Sequence, residues 1–370
     1  MDSEISRRKF NSQLVKGLGG VVALSAMPLG CVTATTGADK KLGVALVGLG
    51  YYSAGLLAPA LQQTEHCELR GIVTGTPSKE KTWIKKYGIA QENIYNYDNF
   101  DEIVNNEAID IVYIVLPNSM HAEFSIRAAK AGKHVICEKP MAMDVAECEQ
   151  IIKACKDAGV KLSVGYRLQS EPYTNEVKRY VQDQTFGRPL YVSAEAAYIS
   201  GNNWNQWRFN RTLSGGGALM NMGVYAIQGV LYATGELPVS VTAQEFSTNP
   251  KKFKETDETI TAQFEFPSGA VANIFTSHNA QADRLYATCS NGWFELKPAF
   301  GYGPLAGNSS AGEIRFPHKS QQALQMDDFA LHIMRDAPNK APGEMGLRDM
   351  KIVMAIYQSV KEGKKVTIDW

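Results

Sequence analysis

Short apolar runs alternate with amphipathic stretches along residues 41–165. The first run, 41–47, meets a Gly-x-Gly turn and then a helical spacing of leucines. Further strands are predicted at 67–73, 109–116, 134–137 and 161–165, of which 109–116 and 134–137 are largely apolar. Uninterrupted apolar runs are typical of strands buried on both faces, and helices between them imply right-handed crossovers. The pattern therefore predicts an α/β unit with a parallel sheet over 42–165.

The pattern changes after residue 165. Stretches that alternate or favour β structure occupy 189–199, 238–247, 257–267, 269–277, 284–290 and 292–296, with turn signals between several of them. Helical patterns occupy 170–183, 218–233, 321–335 and 346–361. The sequence therefore predicts a second α/β domain over 166–370.

The first forty residues resemble a twin-arginine export signal. Arg7 and Arg8 precede a Gly-rich apolar run at 17–30, which is too short to span a bilayer. Cleavage after Ala34 and lipidation of Cys31 are both open. We expect a signal peptide at 1–34 and a short linker at 35–41. A periplasmic or exported location, reached through the twin-arginine machinery, follows from this interpretation.

Composition excludes several classes of protein. The 38 Lys and Arg residues balance the 38 Asp and Glu residues, so the net charge is 38 − 38 = 0, which argues against nucleic-acid binding. The six cysteines form no Cys-x-x-Cys pair, and the six histidines form no His-Glu-x-x-His motif. We therefore expect neither a disulfide scaffold nor a metal site.

A strand, a Gly-x-Gly turn and a helix together form a dinucleotide fingerprint. Gly48 permits the tight turn, Gly50 leaves room for a pyrophosphate, and Ser53 stands where a third glycine is usual. The following helix presents free N–H groups to phosphates. The segment after the second strand, residues 74–79, contains Thr74 and Lys79 but lacks the acid that usually holds a ribose 2′-hydroxyl. Because an acid would repel a 2′-phosphate and these two residues could bind one, the segment favours NADP.

Several motifs resemble the glucose–fructose oxidoreductase/inositol dehydrogenase (Gfo/Idh/MocA) family, and most closely its periplasmic glucose–fructose oxidoreductase branch. They are Gly-Leu-Gly-Tyr-Tyr (48–52), Leu-Pro-Asn-Ser-Met-His (116–121), Glu-Lys-Pro (138–140), Gly-Tyr-Arg (165–167), Gln-Trp-Arg (206–208) and Gly-Gly-Gly-Ala-Leu-Met (215–220). The resemblance implies a Rossmann domain, followed by a domain with a large, mostly antiparallel sheet. It also implies a homo-oligomer formed through the open face of that sheet.

The resemblance places a set of residues near the cofactor. Tyr51 and Tyr52 would cover the pyrophosphate or only pack the loop, and Trp207 and Arg208 would face the site or serve ordinary packing. The full set of predicted cofactor residues is Gly48, Gly50, Tyr51, Tyr52, Thr74, Lys79, Pro117, Asn118, His121, Glu138, Lys139, Arg167, Trp207 and Arg208.

Lys139 and Tyr225 are the predicted catalytic residues. In the family the Lys of Glu-Lys-Pro lies beside the nicotinamide and the substrate hydroxyl. Tyr225 replaces the usual His and becomes the candidate proton donor and acceptor, provided that a cation such as Lys139 lowers its pKa. Asn221 replaces the usual Asp and shares a helix face with Tyr225. It can bind a sugar hydroxyl but cannot act as a base.

Export constrains the expected chemistry, because no NADP pool is at hand outside the cytoplasm. A tightly bound, non-exchanging NADP can work only if each cycle restores its redox state. The expected function is hydride transfer in a ping-pong cycle from C1 of an aldose, which leaves as a lactone, to a ketose or aldose, which leaves as an alditol. The open alternatives are a redox-neutral glycoside hydrolase of the same family, a sugar-binding protein and an ordinary dehydrogenase.

Overall fold

The computed structural model of the chain describes residues 40–203 and 205–370. The first sheet is parallel throughout, with strand order β3-β2-β1-β4-β5-β6. Its strands are β1 (Leu42–Val47), β2 (Cys67–Val73), β3 (Ile94–Tyr95), β4 (Ile111–Ile114), β5 (His134–Cys137) and β6 (Leu162–Val164). The order reverses beside β1, and the strand ends at such a reversal form the usual binding crevice of a doubly wound sheet.

Helices connect these strands. They are α1 (Ala58–Ala60), which continues a π-helical turn at Ser53–Leu57, α2 (Pro77–Tyr87), α3 (His121–Lys130) and α4 (Val145–Asp157). Local chemistry fixes their ends: Pro77 opens α2, Gly88 closes it at φ 67°, and the Asp144 carboxylate accepts the Glu147 N–H at the start of α4.

The second sheet has nine strands in the order β14-β13-β12-β11-β7-β10-β9-β8-β15. They are β7 (Pro189–Ala197), β8 (Ser240–Phe246), β9 (Thr259–Glu265), β10 (Val271–Ser277), β11 (Ala282–Cys289), β12 (Gly292–Leu296), β13 (Gly307–Ser309), β14 (Gly312–Ile314) and β15 (Val366–Thr367). Only the β7–β10 pair is parallel among these described strands. The expected fold class is therefore confirmed, with a Rossmann sheet followed by a mostly antiparallel one.

Helices cover one face of this second sheet. The helices of this half are α5 (Pro172–Gln182), α6 (Arg211–Ser214), α7 (Val224–Thr234), α8 (Gln321–Arg335) and α9 (Gly343–Glu362). Along β7 the alternate residues Val192 and Ala194 are fully buried, whereas Tyr191 on the opposite face is 38% exposed. Formation of a homo-oligomer through that exposed face stays a prediction.

Helix α8 packs on the first sheet, although it lies in the second half of the chain. Its residues Met326 and Phe329 join the buried cluster that contains Leu46 of β1 and Tyr113 of β4. The Asp327 carboxylate accepts the main-chain N–H of residues 65 and 66. Hydrophobic packing thus crosses the predicted boundary at 165/166, because the amphipathic face of α8 is buried against a sheet more than 150 residues earlier in the chain.

The predictions for the N-terminal segment fall outside the described residues. These are the twin-arginine signal at 1–34 with cleavage after Ala34 or lipidation of Cys31, and most of the linker at 35–41. Within 40–203 and 205–370, no helix combines the length and apolar character needed to cross a membrane.

Candidate active site

A cavity of about 690 Å³ lies where the strand ends of the first sheet meet the second sheet. The first sheet contributes the turns after β1, β4 and β5, and the second contributes the end of β7, the start of β11 and residues 300–302. All predicted site residues except Thr74 and Lys79 line it: Gly48, Gly50, Tyr51, Tyr52, Pro117, Asn118, His121, Glu138, Lys139, Arg167, Trp207, Arg208, Asn221 and Tyr225. Motifs that are far apart in the sequence thus meet in one cavity, as expected for residues that follow strand ends.

The glycine turn leaves room for a ligand. Gly48 has φ +90°, and a Cβ there would lie 2.5 Å from the Val115 carbonyl oxygen, so only glycine fits. A Cβ at Gly50 would meet nothing within 4 Å, which leaves an open cradle at the cavity. Ser53 donates a 2.5 Å hydrogen bond to the Gly48 carbonyl and so stabilises the turn. This geometry fits the pyrophosphate of a dinucleotide.

Thr74 and Lys79 lie beside this turn rather than on the cavity wall. The Lys79 ammonium donates to the Leu49 carbonyl at 2.8 Å, so its charge is held at the glycine turn. The Thr74 hydroxyl is buried and accepts the Thr76 N–H at 3.1 Å. This contact keeps the Lys79 cation close to the predicted phosphate cradle. The position of Lys79 in the sequence does not reveal the contact.

Lys139 lies between the two halves of the site. Its Nζ donates to the main-chain oxygen of Asn221 at 2.7 Å and lies 4.6 Å from the ring centroid of Tyr225. Burial, followed by the charges of Arg208 and Arg167, lowers the pKa of Lys139 to about 7, although Glu138 opposes the shift. The amine can therefore exchange a proton near neutral pH.

Two hydrogen bonds hold the Glu138 carboxylate in place. One carboxylate oxygen accepts the Tyr113 hydroxyl at 2.8 Å, and the other accepts the Lys139 N–H at 3.1 Å. Gln325 of α8 donates in turn to the Tyr113 hydroxyl at 3.0 Å. Burial raises the pKa of Glu138, and the charge of Lys139 opposes this rise. The network fixes the Glu-Lys-Pro segment and thereby the position of the Lys139 amine.

The pKa of Tyr225 is not lowered by Lys139, contrary to the prediction. Burial raises its pKa, and the cation that opposes this rise is Arg167, not Lys139. The Lys139 ammonium faces the aromatic ring rather than the hydroxyl, so it does not stabilise a phenolate. Tyr225 therefore stays protonated near neutral pH and can donate a hydrogen bond, which corrects the prediction that Lys139 lowers its pKa.

Arg167 supports the wall of the site, and its contact with a cofactor stays a prediction. Its guanidinium donates to the main-chain oxygens of Phe300 (2.5 Å) and Gly301 (3.0 Å) and to the side chain of Gln321. It also lies 4.9 Å from the ring centroid of Tyr225 and 4.5 Å from that of Tyr302. The fully buried cation thus orients two tyrosines, and the Gly-Tyr-Arg motif alone does not reveal these partners.

His121 and Asn118 join segments of the scaffold. The two ring nitrogens of His121 lie 3.0 Å from the Leu116 carbonyl oxygen and 2.9 Å from the Pro140 carbonyl oxygen. Asn118 donates to the Ser214 carbonyl at 2.8 Å and links β4 to the second half of the site. The His121 ring thus joins two strand ends of the first sheet at the cavity, and its contact with a cofactor stays a prediction.

Trp207 and Arg208 lie together on the opposite wall. The Arg208 guanidinium stacks 4.5 Å from the Trp207 ring centroid, and both side chains are partly exposed to the cavity. The charge of Arg208 helps to lower the pKa of Lys139. Of the two interpretations left open by the sequence, the structure favours a place at the site over ordinary packing.

Asn221 lies on a wider turn than expected. Residues 219–223 form a π-helical turn before α7, and such turns occur frequently at functional sites. Asn221 and Tyr225 nevertheless both reach the cavity. The Asn221 amide contacts Tyr198 and His278, two residues that the sequence analysis missed together with Asp283 and Tyr302.

Asp257 holds the start of this segment. Its carboxylate accepts the N–H groups of Gly217 (2.6 Å) and Leu219 (2.8 Å) and the Tyr357 hydroxyl (2.7 Å). We expect Asp257→Ala to lower the free energy of unfolding by about 3 kcal/mol, because it leaves these buried donors unpaired. Asp257→Asn keeps one acceptor and should lose less. Denaturant unfolding measures both, and equal stability of Asp257→Ala and wild type would contradict this account.

Comparison with known proteins assigns the family. Residues 42–166 match the description "Oxidoreductase family, NAD-binding Rossmann fold", and residues 174–295 match the GFO/IDH/MocA C-terminal domain. The chain belongs to the Gfo/Idh/MocA oxidoreductase family. This confirms the resemblance seen in the motifs and assigns an NAD(P)-binding Rossmann domain to the first half of this family member.

Three relatives illustrate the similarity. The crystal structure of aldose–aldose oxidoreductase from Caulobacter crescentus, complexed with glycerol, matches this chain with a TM-score of 0.86 and 38% sequence identity. The match covers 89% of this chain and all of that one. D-xylose 1-dehydrogenase [NADP(+)] of Haloarcula marismortui is 26% identical over 90% of this chain and 95% of its own. A levoglucosan dehydrogenase structure, 22% identical with a TM-score of 0.76 over 90% of this chain and all of that one, shares the Gfo/Idh/MocA fold.

Proposed function

We propose that this protein is an exported sugar–sugar oxidoreductase with a tightly bound NADP. One aldose is oxidised at C1 to a lactone, and a second sugar, an aldose or a ketose, is reduced to an alditol. The observation that carries this proposal is the 38% identity to an aldose–aldose oxidoreductase whose whole length is matched. The similarity to an NADP-dependent xylose dehydrogenase supports the same class of substrate.

The site supplies the groups that this chemistry needs. Hydride transfer from the first sugar to the second would be supplied by NADP when it is bound in this cavity. The Lys139 amine, with a pKa of about 7, takes the hydroxyl proton of the sugar being oxidised and returns a proton to the sugar being reduced. Tyr225 donates a hydrogen bond to the reacting oxygen. The hydride and the proton lost by one sugar are thus the two gained by the other.

The residues present fit a phosphate-bearing dinucleotide. The open cradle at Gly50 and the N–H groups after it would hold the pyrophosphate. Lys79, fixed beside the turn, would attract a 2′-phosphate, and residues 74–79 directly after β2 contain no acid to repel one. These observations support NADP over NAD.

The N-terminal sequence supports export, and export explains the ping-pong cycle. A twin-arginine signal accompanies proteins that fold before they cross the membrane, so the nucleotide can be loaded first. Outside the cytoplasm a captive cofactor must be restored in every turnover by a second substrate. Sequential use of one site by two sugars meets this requirement without exchange of nucleotide.

Pairs of sugars test the proposal directly. Purified protein, with no cofactor added, is incubated with aldoses and ketoses singly and in pairs, and aldonic acid and alditol are measured together. We expect both products in equal amounts. Denaturation of the protein should release NADP, which mass spectrometry identifies. A requirement for added nucleotide would contradict the captive cofactor and indicate an ordinary dehydrogenase.

A chromogenic glycoside serves as the second arm of this experiment. Release of sugar from the glycoside without any acid or alditol would overturn the proposal and assign redox-neutral glycoside hydrolysis. Release of NAD in place of NADP would contradict the role given to Lys79. Absence of bound nucleotide together with absence of any turnover would leave a sugar-binding protein.

A further inference from the structure

His278 lies directly behind the cavity wall. It follows β10, its ring is fully buried, and its main-chain N–H donates to the Glu258 carbonyl at 2.9 Å. The ring packs against three aromatic side chains, with centroid distances of 5.2 Å to Tyr198, 5.9 Å to Phe209 and 6.5 Å to Phe253. Burial of an imidazole in this pocket costs more free energy than burial of an apolar side chain, which points to a specific role for the imidazole.

The imidazole is neutral, with a defined tautomer. Burial, followed by the charges of Arg208, Lys252 and Lys139, lowers the pKa of His278 to about 3. Its Nε2 lies 3.0 Å from the Asn221 amide nitrogen, which can only donate, so Nε2 is the acceptor and Nδ1 carries the proton. That Nδ1–H is buried without a hydrogen-bond partner in the described part of the chain. The Nε2 acceptor is thus directed at the Asn221 amide.

The contacts of Asn221 leave one group for the cavity. Its amide nitrogen donates to His278 and, at 3.2 Å, to the Tyr198 hydroxyl. Its main-chain oxygen accepts the Lys139 ammonium. Its side-chain oxygen accepts no hydrogen bond from residues 40–203 or 205–370, and the residue lines the cavity. The acceptor face of the amide is therefore available to a ligand.

We infer that His278 is a positioning residue for the substrate: it fixes the Asn221 amide so that the side-chain oxygen, beside Lys139, accepts a hydrogen bond from a sugar hydroxyl. Without an acceptor at position 278 the amide can rotate and present its NH2 group, which cannot accept that hydrogen. The inference rests on the proposed function and extends it, since it assigns the orientation of a substrate-binding amide to a residue outside the cavity.

His278→Phe and His278→Gln test this inference. Phe keeps an aromatic ring in the pocket but offers no acceptor, whereas the Gln side-chain oxygen can accept from Asn221. We expect His278→Phe to raise KM for the aldose about tenfold, with a matching loss of sugar affinity in calorimetry, while bound nucleotide stays unchanged and thermal stability does not fall. His278→Gln should restore most of the affinity. Phe253→Leu disturbs the same aromatic stack without touching the hydrogen bond and serves as the control, with unchanged KM.

A double-mutant cycle separates positioning from general structural damage. Asn221→Ala should raise KM at least as much as His278→Phe, and adding His278→Phe to Asn221→Ala should change nothing further. An additive effect, or an unchanged KM in His278→Phe, would overturn the inference. Failure of the proposed function is distinguishable, because then the wild-type protein itself would show no sugar turnover.

Discussion

Lys139→Met is expected to reduce sugar turnover about 1000-fold in both half-reactions. The substitution removes the amine that contacts the main chain of Asn221 and the ring of Tyr225, and an apolar thioether can neither take nor return a proton. Bound nucleotide should be retained, because the glycine turn is untouched. Single-turnover absorbance of the reduced nicotinamide, with aldose as the only substrate, measures the loss in the oxidative half-reaction.

Lys139→Arg separates proton transfer from charge alone. Arginine keeps a positive charge but does not deprotonate in proteins, so we expect it to be nearly as slow as Lys139→Met. Lys153→Met is the matched control, because Lys153 is an exposed residue paired with Asp157 on α4. The activity of this variant should equal that of the wild-type enzyme. A Lys139→Arg enzyme within tenfold of wild type would show that the site needs only a cation at this position.

Strand positions in both sheets could be predicted because the apolar signal is local. Cys67–Val73 and His134–Cys137 are predicted to the residue, and Gln321–Arg335 is predicted as a helix with the bounds that the structure shows. Buried strands such as His134–Cys137 need apolar side chains, and this requirement is visible in a few consecutive residues. The short strands β3, β13, β14 and β15 were missed, since two or three residues carry no period.

The packing of α8 and the contacts of Arg167 could not be predicted. Both depend on residues far apart in sequence: Gln321 reaches Arg167, and Gln325 reaches Tyr113. Nothing in the local pattern of α8 says which sheet its apolar face will cover. Long-range partners of this kind are decided by the tertiary fold, and spacing along the chain does not reveal them.

The structure brings predicted site residues together in one cavity where strand ends determine their position. Gly48, Asn118 and Lys139 each follow a strand of one parallel sheet, so they had to meet at one edge. His278 and Asp283 follow or begin strands of the antiparallel sheet, where neighbouring strand ends point in opposite directions. Position in sequence therefore does not say which end of that sheet reaches the cavity.

The pH dependence of the two half-reactions should have opposite signs. With the pKa of Lys139 lowered to about 7 by burial, the neutral amine predominates above this pH and the ammonium below it. Aldose oxidation needs the neutral amine as base, so its kcat/KM should rise through about pH 7 and then level off. Sugar reduction needs the ammonium as acid, so its kcat/KM should fall through the same range. Stopped-flow measurement of each half-reaction gives the two profiles separately.

Tyr225→Phe decides which side chain titrates. Because burial raises the pKa of Tyr225, the phenol stays protonated throughout this range and acts only as a donor. The variant should be about 100-fold slower, through loss of one hydrogen bond to the reacting oxygen, yet it should keep the midpoint near pH 7. Lys139→Arg should instead lose the pH dependence altogether. Disappearance of the midpoint in Tyr225→Phe would identify the phenol as the base and would contradict the role assigned to Lys139.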